Sequence, residues 1–371
     1  MTFADAVAVA VLPLMSVGAH TMEGRPVRLG YSLGSLAASG LAPSAHADLA
    51  RAAERLGYDA VWSSEVAATD PVAFLAWLAG QTSSIRLGSA VLQISGRSAV
   101  AAAASAATVG QLSGGRFMLG LGASGPQVVE GLHGQPYNRP LARMRDYIAV
   151  VRMALAGEPV SYTGDTLAIP LPEGRAPAMA LTGLGRIGPV PLYLAGLGPK
   201  AVALAGELAD GWLAIHCPPE YVADAHSFLQ EGADRAARTL AQFDVAAMVL
   251  ALVEEDEELA RDMMRPQLAL YLGGMGTAGA NFYNRLAHRL GFGPAASRLQ
   301  AAYLAGRLDE AMAAIPDEMV DAMTVCGPAL QVQERLDAYR DAGTGTLIVG
   351  LVTAGARLRH EQLEQIAELA F

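Results

Sequence analysis

Residues 116–134 read RFMLGLGASGPQVVEGLHG, and the fold turns on whether they open a dinucleotide-binding sheet or one unit of a barrel. The stretch begins as a short apolar strand, Arg116 to Gly120, and then sheds its side chains. Gly120, Gly122 and Gly125 leave bare backbone, which can approach a ligand closely or adopt positive φ. Ser124 sets a hydroxyl among exposed N–H groups, and Glu130 and His133 follow within one loop. In an α/β protein, a strand that runs into glycine, hydroxyl, carboxylate and imidazole marks a binding site.

The spacing Gly120-x-Gly122-x-x-Gly125 also matches the dinucleotide fingerprint. That motif needs a helix starting inside the glycines and an acidic residue at a strand end about 20 residues on. Here Pro126, Gly131 and Gly134 interrupt the expected helix, and Arg143, Arg145 and Asp146 lie in a helical pattern. Three β-α units also precede the glycines, whereas the fingerprint belongs in the first. The dinucleotide reading is set aside.

Upstream, Val27 to Gly34, Asp59 to Ser64 and Ile85 to Ile94 read as strands. Between and after them come an amphipathic helix over Ala45 to Leu56, a helix capped by Asp70 with Pro71 first, and an alanine-rich helix from Ser98 to Leu112. Arg139 to Ala156 is the fourth helix. Residues 158–188 break the pattern with glycine and proline, with a small hairpin (VSYTGDTLAIP) among them. Strands return at Val190 to Ala195, Gly211 to His216, Val245 to Val253 and Thr346 to Val352. Helices follow from Lys200 to Ala209, Pro219 to about Leu240, Ala329 to Ala342 and from Arg359, with a long helical stretch over 256–316 cut by Gly273-Gly274-Met275-Gly276. Eight apolar strands, each followed by helix, predict an α/β fold: a single (β/α)8 TIM barrel with insertions after strands four and seven. Both insertions, 158–188 and 256–316, are expected over the C-terminal mouth. Residues 1–26 have no basic segment ahead of their apolar run and read as an N-terminal arm outside the barrel domain, 27–371.

Of the 371 residues, 52% are hydrophobic and 17% charged, enough to bury a large core. A net charge of −10 argues against nucleic acid or an anionic membrane as partner, leaving a small-molecule substrate. Cys217 and Cys326 make no disulfide framework, which fits a reducing cytoplasm. No metal site is assigned.

Four segments carry a resemblance: AAERLGYDAVW at 52–62, RLGSAVLQISGRS at 86–98, LSGGRFMLGLGASGPQVVEGLHG at 112–134 and YLAGLGPKAVALAGELADGW at 193–212. From about residue 27 to 371 the chain resembles the bacterial luciferase-like family of flavin and deazaflavin oxidoreductases. It most resembles the branch using coenzyme F420, which includes methylenetetrahydromethanopterin reductase. The resemblance implies a non-prolyl cis peptide at Ala90–Val91, supporting a planar ring from behind, with Gln93 in the same cofactor-binding set. It implies a phosphate turn at Ala195-Gly196-Leu197-Gly198-Pro199, where bare N–H groups and a helix dipole suit an anion. Ser124 and Gly125 match residues near the ring, Ser64 and Glu65 match positions facing the reacting centre, and Lys200 follows the phosphate turn. A dimer is implied as well. Leu132 stands where the family often has tryptophan. Ser64-Glu65 replaces the Asp-His of glucose-6-phosphate-type deazaflavin dehydrogenases, so a sugar phosphate substrate is not expected.

Each candidate has a plainer reading. Glu65 is a proton donor or substrate anchor, or a carboxylate bracing a neighbouring loop. Glu130 and His133 are catalytic candidates, or they tie their loop to the barrel. His216 ends strand six on the site side, as a functional group or as a core histidine. Met263, Met264 and Met275 pack beside a lid. The expected activity is hydride transfer from a reduced deazaflavin to an activated C=C or C=N, or alcohol oxidation in reverse. An FMN-dependent monooxygenase on the same barrel is the alternative, and a barrel that only binds a ligand is another. Intact glycines at 122, 125, 196 and 198 speak against the last. F420 carries a carboxylate tail, for which Arg139, Arg143, Arg145 and Lys200 are the expected cationic cluster.

Overall fold

The structure is a computed structural model that describes residues 27–66, 69–182 and 189–370. The expected arm, 1–26, lies outside the described residues. The chain opens with β1 (Arg28–Gly34), α1 (Pro43–Arg55), β2 (Ala60–Ser63), α2 (Pro71–Ala79) and β3 (Arg86–Ser89). Next come β4 (Leu92–Gln93), α3 (Ala99–Leu112), β5 (Phe117–Gly122), α4 (Pro126–Val129) and α5 (Pro140–Leu155). The hairpin β6 (Tyr162–Thr163) and β7 (Ala168–Ile169) leads to β8 (Leu192–Ala195), α6 (Pro199–Leu208), β9 (Gly211–Ile215) and α7 (Pro219–Arg235). After β10 (Asp244–Val253) run α8 (Glu257–Ala269), a π-turn (Leu270–Gly274), α9 (Phe282–Arg289), α10 (Gly293–Leu304), α11 (Leu308–Ala313) and α12 (Asp317–Met323). The short β11 (Val325–Gly327), α13 (Ala329–Asp341), β12 (Thr346–Leu351) and α14 (Ala356–Ala370) complete the described chain.

Eight strands pair in parallel in the order β1, β2, β3, β5, β8, β9, β10, β12, and β12 returns to β1. This is the expected (β/α)8 barrel. Period-two alternation splits each strand between two environments. Trp62, Met118, Tyr193, Leu213, Met248 and Ile348 fill the barrel interior, while Val61, Leu87, Leu119 and Val349 join the core shared with the helices. Local signals place the helices: Asp70 accepts from Val72 N, Ser98 from Ala101 N, and Asp256 from the N–H groups of Glu258 and Leu259.

Four expectations need correcting. The strand at 116–120 continues through Gly122, because its glycines are packing positions. The predicted strand 85–94 is two pieces, interrupted by the Ala90–Val91 cis peptide. The helix from Pro219 stops at Arg235, where Ala237 takes a left-handed φ of 49°. The fourth concerns the 158–188 excursion. It follows α5, so it starts from the far end of the barrel, and its hairpin lies along α5, where buried Asp146 accepts from Tyr162 Oη and from Thr166 N and Oγ1. None of its described residues lines the mouth. The other insertion, α8 to α12, does lie over the mouth and has a small core of its own.

The opposite end of the barrel is closed by buried Asp244, which accepts from Tyr193 Oη and Thr346 Oγ1, both at 2.8 Å, and pairs with Arg28 Nη2 at 2.9 Å. Asp244→Ala strands the partners of one carboxylate at three strand ends. Loss of a buried partner costs on the order of 3 kcal/mol, so a lowered urea midpoint is expected, with ligand binding at the far mouth unchanged in the folded variant.

Candidate active site

The C-terminal mouth opens into a cavity of about 1240 Å³, lined from both the barrel and the α8–α9 insertion. Single small-molecule pockets run roughly 300–1,000 Å³, so this one has room for two molecules side by side. Ser64, Glu65, Ala90, Val91, Gln93, Ser124, Gly125, His133, Ala195, Gly196, Leu197, Gly198 and Lys200 all line it. Glu130 does not. Its carboxylate accepts from Tyr137 N at 3.0 Å on the outside of the loop, which is the loop-tying role.

One wall is the break between β3 and β4. The Ala90–Val91 peptide is cis, and Val91 fills the place where Gly122 would otherwise carry a side chain. A Cβ on Gly122 would lie 2.4 Å from Val91 Cγ2, and one on Gly120 would lie 1.9 Å from the Ser89 carbonyl. Glu65 braces this wall. Its carboxylate accepts from Gln93 N at 2.6 Å and from Arg97 Nη2 at 2.7 Å, and its carbonyl accepts from Gln93 Nε2 at 2.9 Å. With the amide nitrogen of Gln93 so fixed, its Oε1 must accept from His133 Nε2, 3.1 Å away. In neutral His133 that leaves Nδ1 as the free acceptor.

The second wall is the turn from β8 into α6. Trp212 Nε1 donates to Gly196 O at 2.8 Å. Leu197 O accepts from Tyr221 Oη and, at 3.2 Å, from Arg289 Nη1. A trans peptide points its N–H opposite to its C=O, so these donors turn the N–H groups of Leu197 and Gly198 the other way. Neither N–H has a protein acceptor among the described residues. The two glycines differ in cause. A Cβ on Gly196 would lie 2.5 Å from Ala201 Cβ, whereas one on Gly198 would meet nothing within 4 Å. Gly198 also has an ordinary φ of −90°. Neither packing nor backbone requires glycine there, and what its bare backbone leaves open is the cavity beside a helix N-terminus. A phosphate fits this cradle.

The expected cationic cluster on α5 is not at the mouth. Arg139 pairs with Asp165 and Arg145 with Glu207, and neither they nor Arg143 line the cavity. The helix faces the excursion and α6, which supply those acids. Lys200, Arg97, Arg285, Arg289 and Arg359 line the cavity instead. Arg285 and Arg289 escaped the sequence reading because 256–316 read as a helical stretch cut only at 273–276, with no helix start marked at Asn281. The signal was Asn281, whose side chain caps Tyr283 N and Asn284 N and sets the two arginines one turn apart on α9.

His216 follows β9 with a left-handed φ of 53°. Its ring is buried at the cavity wall against Tyr271 and Tyr283, at centroid distances of 4.1 and 5.9 Å, and neither ring nitrogen has a partner. Burial lowers its pKa to about 4. Met263 and Met275 line the same region, while Met264 is packed in the insertion's core.

With both Glu65 oxygens engaged, the geometry gives this residue a bracing part. Glu65→Gln is expected to weaken binding of the planar cofactor and turnover together, each by roughly tenfold, since a charge-assisted hydrogen bond contributes about 1.5–3 kcal/mol. Turnover lost at unchanged cofactor affinity would restore Glu65 as a proton donor.

Comparison with known proteins agrees with this architecture. A family model described as luciferase-like monooxygenase matches residues 23–346. Rv3520c of Mycobacterium tuberculosis, named for an inferred coenzyme F420-dependent oxidoreductase activity, is 38% identical over 92% of this chain and 99% of its own length. The 5,10-methylenetetrahydromethanopterin reductase of Methanolobus tindarius is 31% identical over 82% of this chain and 89% of its own. The solved structure of the coenzyme F420-dependent tetrahydromethanopterin reductase of Methanopyrus kandleri shares the fold, with a TM-score of 0.77 at 23% identity over 92% of this chain and 98% of that one. On the family match and the two sequence likenesses, this chain belongs to the luciferase-like monooxygenase family.

Proposed function

We propose that the chain is an F420-dependent oxidoreductase acting on a small organic substrate. The observation that carries this reading is the turn at 196–198, where Gly198 leaves an unfilled cradle and two successive N–H groups face away from their pinned carbonyls. Support for F420 over FMN comes from the names of the similar proteins. Both cofactors share a tricyclic ring and a phosphate arm, so the turn alone suits either. When bound, F420 supplies hydride chemistry at its deazaflavin ring.

The chain's own residues do the rest. Leu197 and Gly198 N–H and the α6 N-terminus hold the phosphate. Val91, backed by Glu65 and Gln93, gives the ring a wall. His133 stands at the cavity with Nδ1 free, and we assign that atom the proton that accompanies hydride transfer: neutral, it takes the proton of an alcohol being oxidised, and as imidazolium it returns one to a C=C or C=N being reduced. The α8–α9 insertion covers the mouth with aromatic and methionine side chains that exclude water. Reduction of a polarised C=C or C=N, or alcohol oxidation in the reverse sense, is the reaction such a site can run. The family resemblance also implies a dimer, which light scattering reads directly.

Fluorescence titration with F420 and with FMN, at low and moderate salt, tests the cofactor. F420 is expected to bind more tightly, and to weaken with salt because Lys200 and Arg285 are exposed. Tight FMN binding without F420 binding would make the monooxygenase the better reading. Gly198→Val is expected to cut F420 affinity at least tenfold, the scale of a lost charge-assisted contact of about 1.5–3 kcal/mol, with an unchanged melting temperature. Gly196→Val is expected to lower the melting temperature, because its Cβ has no room. His133→Gln should lower turnover at unchanged F420 affinity.

A further inference from the structure

The cavity wall at the C-terminal ends of β9 and β10 has a different chemistry from the turn at 196–198. Its walls are Met248, Leu250, Met263, Tyr271, Met275 and Tyr283, and the one imidazole among them is His216. Tyr271 and Tyr283 meet edge to face at 5.0 Å, and each meets His216 in the same way. The two tyrosine hydroxyls have no hydrogen bond to the protein among the described residues, and both His216 nitrogens are buried without a partner. Three polar groups therefore stand together at one wall with their hydrogen bonding unused.

Stability does not explain His216. A buried polar group left unpaired is destabilising, and an apolar side chain of similar shape would be neutral or better. Its charge state limits what it can serve. Burial holds the imidazole neutral at pH 7 and raises the pKa of both phenols, so the wall presents donors and an acceptor but no charge. These three groups themselves offer an anion no counter-charge. A carbonyl or hydroxyl on an apolar body would find both hydrogen-bond partners and contact surface.

We infer that His216, with Tyr271 and Tyr283, is the substrate-recognition wall, which takes an apolar or aromatic substrate through one neutral oxygen. The inference rests on the oxidoreductase reading only in calling the bound molecule a substrate. Tyr271 sits on the π-turn that follows Pro266 within α8, and its ring edge covers the imidazole. A bound oxygen reaches His216 when that ring moves aside, and π-turns recur where helices carry functional groups.

The test uses the full chain, labelled with ¹⁵N in histidine, and two probes of similar shape: acetophenone and phenyl phosphate. The His216 signals are assigned by their loss in His216→Asn. Acetophenone is expected to move those signals, in the free and F420-loaded protein alike, and phenyl phosphate to leave them in place. His216→Phe is expected to bind acetophenone at least tenfold more weakly, with F420 affinity unchanged and a melting temperature that falls little or rises. Should the left-handed backbone reject phenylalanine, His216→Asn serves, since asparagine accepts that conformation and is too short to reach the same oxygen. Acetophenone that fails to bind at millimolar concentration, or saturates without moving His216, overturns the inference. Phenyl phosphate binding as well as acetophenone does the same. If F420 does not bind while acetophenone still moves His216, the wall stands and the cofactor reading falls.

Discussion

The turn at the mouth of this barrel depends on two backbone carbonyls being held by side chains. Trp212 holds the carbonyl of Gly196, and Tyr221 with Arg289 hold that of Leu197. Peptide planarity then dictates the rest, because a fixed C=O fixes the N–H on its other side. The donors come from β9, α7 and α9, so three separate units of the chain combine to set one turn. Arg289 in particular ties the insertion after the seventh strand to the turn after the fifth. The part of the chain that covers the cavity is thereby joined to the turn proposed to hold a phosphate.

Much of this was legible before the structure. Eight apolar strands separated by capped helices leave few architectures, and Asp70-Pro71 and Ser98 mark helix starts by side-chain chemistry alone. The cavity-lining set came with the family resemblance, and its place agrees with the gathering of barrel sites at strand C-termini. What sequence could not show was direction. Arg139 and Arg145 sit close in sequence to Ser124, yet α5 turns them toward Asp165 and Glu207. Glu130 and His133 are three residues apart, and only the second faces the cavity. Local spacing fixes the face of a helix, but in a loop it leaves side-chain orientation to tertiary contacts. The excursion at 158–188 was misplaced for a related reason: its composition said irregular, and only its position after a helix, not a strand, said which end of the barrel it leaves from.

The glycines separate into classes that a sequence prints with one letter. Gly120 and Gly122 exist because Ser89 and Val91 occupy the space of a side chain, and Gly88 because the Trp62 indole does, with a Cβ there 2.1 Å from Cε3. Gly196 makes room for Ala201. Gly198 makes room for nothing in the protein. An absence with no internal cause is better evidence for a ligand than a glycine-rich motif, since Gly120 and Gly122 of the motif at 120–125 are explained by packing of the barrel wall.

Glu65 and His216 divide along a similar line. Both are polar side chains at the cavity, and both stood as functional candidates at strand ends. Glu65 has its oxygens engaged by Gln93 and Arg97, so its interactions are complete without a ligand. Both ring nitrogens of His216 are without a partner. A protein gains stability from the first arrangement and loses it with the second. The unfinished one therefore points outward, to a molecule that supplies what the fold withholds. The cavity accordingly has two unlike neighbouring walls: a turn whose N–H groups suit an anion, and an uncharged aromatic wall suited to a neutral oxygen. The proposed hydride transfer needs cofactor and substrate in contact but bound by separate means, and such a division of one cavity would allow both.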